Sequence, residues 1–123
     1  MPKCTALYCR TATPDYEGIV DQRDALYELA LQQGFGSLAY YEDNGCSGLD
    51  LDRPALSRLE RDIQNGRVAR VLVTNINRLG RNTAAVMRWL VWLRRLGVEI
   101  FTLDDEVDWN DLLSALEGGP ADE

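Results

Sequence analysis

The sequence contains no histidine, which removes histidine-based triads, histidine-ligated zinc and an imidazole general base from consideration. Cysteine is scarce. Cys4, Cys9 and Cys46 form neither an even set nor a CxxC pair, so they are read as reduced thiols of a cytoplasmic protein rather than a disulfide scaffold. No charge-free stretch approaches the roughly 20 apolar residues that a membrane span needs, and no basic segment leads into an apolar one at the N-terminus. No membrane or export address is therefore expected. Lysine is almost missing too: of 13 basic residues, all but Lys3 are arginine.

What remains is a chain of 123 residues, 46% hydrophobic and 27% charged, a balance that fits one globular domain and excludes wholesale disorder. The net charge of −7 conceals a segregation along the chain. Residues 1–52 carry −6, residues 53–95 carry +8 from ten arginines against Glu60 and Asp62, and residues 96–123 carry −9 with no base at all. Arginine suits bidentate phosphate contact, and a basic block in an acidic protein makes a local anion-attracting field. The same charge pattern also describes a solvated helix face.

Apolar runs and turn formers divide the chain into alternating strands and helices. Cys4 to Arg10 reads as a buried strand, bounded by the Thr11-Ala12-Thr13-Pro14-Asp15 cluster. Ile19, Leu26, Leu29 and Ala30 recur at helical spacing between Gly18 and Gln33, and Gly34 supplies a stop. Leu38 to Glu42 is a second strand, followed by the turn-rich loop Asp43 to Gly48. Pro54 suits a first helical position, with Leu56, Leu59 and Ile63 forming a stripe that ends at Asn65-Gly66. Val68 to Thr74 is a third strand, Asn75 to Asn82 a polar connection, Thr83 to Leu96 a helix and Val98 to Leu103 a fourth strand. A short helix from Trp109 to Leu116 precedes a Gly118-Gly119-Pro120 tail. The alternation predicts an α/β three-layer sandwich with a mainly parallel sheet of four to five strands, whose ligands gather at the carboxyl ends of the strands.

Four arginines fall at informative places on that plan. Arg10 ends the first strand, Arg53 precedes the second helix, and Arg78 and Arg81 lie in the connection after the third strand, so all four can meet on one edge. Fixed guanidinium groups stabilise charge that develops on nonbridging phosphate oxygens. A structural reading of the same residues is a set of surface salt bridges with Asp43, Asp50 and Asp52.

The strings Tyr8-Cys9-Arg10-Thr11-Ala12-Thr13, Asp43-Asn44-Gly45-Cys46-Ser47-Gly48, Arg53-Pro54-Ala55-Leu56 and Asn77-Arg78-Leu79-Gly80-Arg81-Asn82-Thr83 resemble the catalytic domain of serine recombinases of the resolvase/invertase type. The resemblance runs in order from about residue 5 to residue 103. It implies a resolvase-like fold over 1–103, followed by an acidic C-terminal segment, 104–123, that is short relative to the family. It also implies DNA as substrate and a serine that attacks the phosphodiester to form a 5′-phosphoserine linkage. Bond energy is conserved in that linkage, so no cofactor and no metal are expected. Carried over position by position, Arg10, Arg53, Arg78 and Arg81 would contact DNA phosphates. Gln22 matches the family's first-helix glutamine, although its spacing equally suits the wet edge of that helix, and Ser47 matches a supporting loop serine.

Two positions depart from the motif: Ala12 stands at the nucleophile position, and Asn77 where an acid usually precedes the loop arginine. Alanine has no lone pair to attack phosphorus. Thr11 and Thr13 lie one residue to either side, where an extended chain turns side chains toward the other face, and Cys9 should alternate away from Arg10. The chain is thus expected to be a pseudoenzyme, a serine-recombinase-like module that binds DNA or phosphate, or oligomerises, without cutting. Lacking flanking DNA-binding modules, it should bind DNA weakly. The nearly all-apolar helix 83–96, with the C-terminal segment, is the expected contact with a second copy or a recombinase partner, unless its own domain covers it. Two alternatives remain: a fragment of an active recombinase, with Ala12 natural or introduced, or an unrelated α/β phosphate-ligand or protein-interaction module. The glycine-rich phosphate loop that would favour the latter is missing between the first strand and helix.

Overall fold

A computed structural model of the chain describes residues 3–46, 53–104 and 108–117. The elements run β1 (Cys4–Thr11), α1 (Tyr16–Gln33), β2 (Leu38–Asn44), α2 (Pro54–Gln64), β3 (Val68–Val73), a 3₁₀ turn (Ile76–Arg78), α3 (Thr83–Arg95), β4 (Glu99–Thr102) and α4 (Trp109–Glu117). Among the described residues the sheet has four strands in the order β2-β1-β3-β4, and every neighbouring pair is parallel. The fold is therefore α/β with an all-parallel sheet, at the lower end of the four to five strands expected.

Alternation along β1 sorts the core into two clusters, one on each face of the sheet. Ala6 and Tyr8 join Leu59, Ile63, Val86, Leu90 and Leu93 beneath α2 and α3. Leu7 and Cys9 join Ile19, Leu26 and Ala30 beneath α1. The three layers are thus α1, the sheet, and the group α2, α3 and α4. Among the described residues, no helix is long and apolar enough to cross a membrane.

The apolar helix α3 is largely covered by its own domain. Val86, Leu90 and Leu93 are buried, Met87, Trp89, Val91 and Trp92 pack partly buried against the same core, and Trp89 Nε1 donates to Glu60 on α2 at 2.8 Å. Trp109 at the start of α4 packs there as well. Of the large apolar residues at this end of the helix, Leu96 is the exposed one.

The helix boundaries follow local chemistry. Asp15 caps α1 by accepting from Gly18 N at 2.9 Å, which places its start at Tyr16, two residues earlier than the apolar spacing indicates. Gly34 closes it in the left-handed conformation, φ 73°. For α2, Pro54 occupies the first turn, but the capping group comes from a different element: Asp43 on β2 accepts from Ala55 N at 2.8 Å and from Leu56 N at 3.0 Å. A carboxylate on two free N–H groups of a helix start satisfies donors that have no partner within the helix.

The two edges of the sheet are finished differently. On β4, the Asn110 side chain of α4 acts as a surrogate strand, accepting from Ile100 N at 2.9 Å and donating to Ile100 O at 3.0 Å. The opposite edge belongs to β2.

Candidate functional site

Strand order reverses at β1: the chain moves from β1 to β2 on one side and returns to β3 on the other. The connections that leave the carboxyl ends of β1 and β3 diverge, and the crevice between them is where such sheets bind ligands. Arg10 lies at the end of β1, and Arg78 ends the turn that follows β3.

Arg10 is only 4% exposed, and all three guanidinium nitrogens are committed. Nε donates to Arg78 O at 2.9 Å, Nη1 to Cys46 O at 2.9 Å and Nη2 to Asn77 O at 2.8 Å. Arg53 grips the same turn, with Nη2 donating to Leu79 O at 2.7 Å and Nη1 to Arg78 O at 3.5 Å. Two arginines thus hold three successive carbonyls, those of residues 77–79, and fix the turn that carries Arg78. Burial lowers the Arg10 pKa from its ordinary value; the charges of Arg53, Arg78 and Arg81 add to this, against an opposing contribution from Tyr8.

The Arg78 side chain runs back to β1. Its Nη1 donates to Arg10 O at 3.1 Å and its Nε to Thr74 Oγ1 at 3.3 Å. Arg78 also lines an open cleft of about 360 Å³ with Thr11, Ala12, Thr13, Asp15, Gly18, Asp21 and Gln22. Ala12 and Thr13 are exposed there, and Arg81 is exposed on the connection beyond the turn. Among the described residues, none of Arg10, Arg53, Arg78 and Arg81 is ion-paired; the recorded ion pairs belong to Arg23, Arg67 and Arg70.

Gln22 is buried rather than at a wet edge. Its Oε1 accepts from Arg10 N at 3.1 Å and its Nε2 donates to Arg10 O at 2.9 Å. The β1–β3 ladder ends at Leu7–Leu72 while β1–β2 continues to Thr11–Asn44, so the glutamine amide serves a β1 peptide that β3 no longer reaches.

Asp43 is not a surface ion-pair partner. It is 3% exposed, caps α2 and accepts from Tyr8 Oη at 2.8 Å. Burial first, and then this hydrogen bond, hold the Tyr8 hydroxyl protonated well above the ordinary range. Asp50, Asp52 and Ser47 lie outside the described residues. Asn77 is exposed, with its carbonyl on Arg10 and its N–H donating to Asn75 Oδ1 at 3.1 Å.

Two of the neighbouring nucleophile candidates, Thr11 and Cys9, are restrained, while Thr13 stands exposed in the cleft. Thr11 Oγ1 donates to Asn44 Oδ1 at 2.8 Å and accepts from Gly45 N at 3.1 Å. Gly45 has φ 85°, and a Cβ there would meet Pro14 at 3.0 Å, so this close approach of the two loops requires glycine. Cys9 is buried under α1, away from the cleft, and burial together with Glu42 pushes its thiol up to about 12. Sequence reasoning missed Asp43, Asn44 and Thr74 as supports of this edge. No fixed spacing in the sequence links Asp43 to the helix that starts at Pro54, because the cap is a contact between two elements. Among the described residues no group of histidine, cysteine or carboxylate side chains is arranged to hold a metal ion.

Residues 5–116 match the family described as Resolvase, N terminal domain. The N-terminal catalytic domain of TP901-1 integrase shares 27% identity, covers 98% of each chain and superposes with a TM-score of 0.75. A resolvase family site-specific recombinase from Streptococcus pneumoniae shares 26% identity, with 94% of this chain and 85% of that one covered and a TM-score of 0.75. Uncharacterized immunity region protein 3 of Bacillus phage phi105 is 35% identical over 69 residues, 53% of this chain and 84% of that protein. With family, fold and the order of the motifs in agreement, the chain belongs to the serine recombinases, as a resolvase N-terminal domain.

Proposed function

We propose that this domain serves site-specific DNA recombination as a phosphate-binding module that does not cut DNA. The observation that carries the reading is the place of Ala12: it lines the open cleft beside Arg78, where the family motif has its attacking serine. A methyl group offers no lone pair to phosphorus, Thr11 is committed to Asn44, the Cys9 thiol is buried and protonated, and Thr13, though exposed in the cleft, stands one residue off the motif position. The four arginines, unpaired with any described carboxylate, supply positive charge without chemistry. Arg53, Arg78 and Arg81 are the groups that meet a phosphodiester, and Arg10 holds the turn beneath them.

The cleft lining also carries Asp15 and Asp21, which repel a phosphate backbone and keep the affinity low. The test uses a labelled DNA duplex. Binding should weaken steeply with added salt and with Arg78→Ala, and Ala12→Ser, fused to a sequence-specific DNA-binding domain, should leave protein linked to a 5′ end. Salt-independent binding would reject the phosphate site, and an absent linkage on bound DNA would reject residue 12 as the nucleophile position.

A further inference from the structure

The edge of β2 is unfinished. In a parallel ladder one strand's residues alternate, one presenting both N–H and C=O to its neighbour and the next presenting both outward. Thr5 N donates to Ser37 O at 3.0 Å and Gly45 N to Thr11 O at 3.0 Å, so the odd-numbered residues of β2 serve β1. Leu38, Tyr40 and Glu42 therefore turn their peptide groups away from the sheet, and no described residue caps them as Asn110 caps Ile100 on β4. An uncapped edge of this length is a template for another strand.

Two further features lie along the same edge. A groove of about 550 Å³ is lined by Arg23, Tyr40, Glu42 and Arg58, so it carries both signs of charge and an aromatic ring that is 40% exposed. At about 100° per residue, Tyr16, Arg23, Tyr27 and Leu31 lie on one side of α1. Arg23 reaches Glu42 at 3.5 Å, which turns that side toward the β2 edge. Tyr16, Tyr27 and Leu31 on this stripe are 70%, 44% and 54% exposed.

We infer that this edge pairs with a second copy of the chain, β2 against β2 in antiparallel fashion across a twofold axis. A twofold interface needs a surface complementary to itself. Mixed charge in the groove meets that need, and so does an apolar helix stripe that would meet its own copy on the same face of the joined sheet. A pairing centred on Tyr40 sets Tyr40 opposite its mate and Leu38 opposite Glu42, which uses every outward peptide group from 38 to 42. The surface is separate from the arginine edge, so it leaves the phosphate site open in both copies.

Sedimentation of the full chain across a wide concentration range, paired with amide hydrogen exchange, tests the inference. The expected result is a dimer in which the Tyr40 and Glu42 amides become protected as concentration rises. Tyr40→Pro removes an outward N–H without touching the β1 ladder, and Tyr27→Glu charges the stripe on an exposed helical site. Each should raise the dimer dissociation constant at least tenfold with an unchanged circular dichroism spectrum. A monomer at every concentration overturns the inference. So does a dimer whose Tyr40 and Glu42 amides stay unprotected, or one that both variants leave intact.

Discussion

Gln22 returns both hydrogen bonds of the Arg10 peptide, accepting from its N–H at 3.1 Å and donating to its C=O at 2.9 Å. One side chain thereby ties α1 to the last stretch of β1, next to the cleft. Gln22→Leu is expected to leave a buried N–H unsatisfied and to cost on the order of 2 kcal/mol. Urea denaturation reads this cost; a loss below a few tenths would show that the amide tie is not a support of the strand.

Asp43 joins three donors on two elements, Tyr8 Oη of β1 and the Ala55 and Leu56 N–H groups of α2. Asp43→Ala should therefore cost on the order of 3 kcal/mol, more than Tyr8→Phe, which removes one donor and leaves the helix cap in place. Equal losses in thermal or chemical unfolding would show that the cap contributes nothing.

Alkali should unfold the domain. Burial raises the Tyr8 hydroxyl above its ordinary 10.0 and the Cys9 thiol from 9.0 to about 12, so the folded state holds protons that the unfolded chain releases. Stability from these groups is complete below about pH 9 and falls as pH rises, through the thiol first and the phenol from about pH 10. Cys9→Ala should flatten the first part of that decline in denaturation curves taken between pH 8 and pH 11. An unchanged slope would count against a buried, protonated thiol.

Opposite charges in the cleft give opposite mutants. Asp21→Asn should tighten duplex binding several-fold at low salt, and Arg78→Ala should weaken it and reduce the salt slope by about one. Fluorescence anisotropy over a salt series separates the two; parallel changes in both would place the DNA elsewhere on the surface.

Much of the fold was legible because alternating apolar runs and turn formers are local signals. Pro54 marked the start of α2 and Gly34 the end of α1, and the strand-helix alternation carried the parallel sheet. The start of α1 lies two residues ahead of the point its apolar spacing indicates because it is set by Asp15, a cap, which carries no apolar periodicity. At the site, sequence placed the arginines on one edge but not their depth: burial of Arg10 depends on carbonyls from residues 46, 77 and 78, which are distant in sequence. Gln22 admitted two readings for the same reason, since its partner is a backbone peptide twelve residues away, invisible to side-chain pattern. Asp43 looked like one more surface acid because a helix cap supplied from a neighbouring strand has no fixed spacing.

The clasp of Arg10 on the carbonyls of Cys46, Asn77 and Arg78 separates the fate of the site from the fate of its chemistry. Exchange of an exposed serine for alanine at position 12 removes one oxygen and disturbs no buried partner. Loss of Arg10 releases two loops at once and orphans three acceptors. The arginine edge is therefore kept by the demands of folding itself, whichever small side chain stands at position 12.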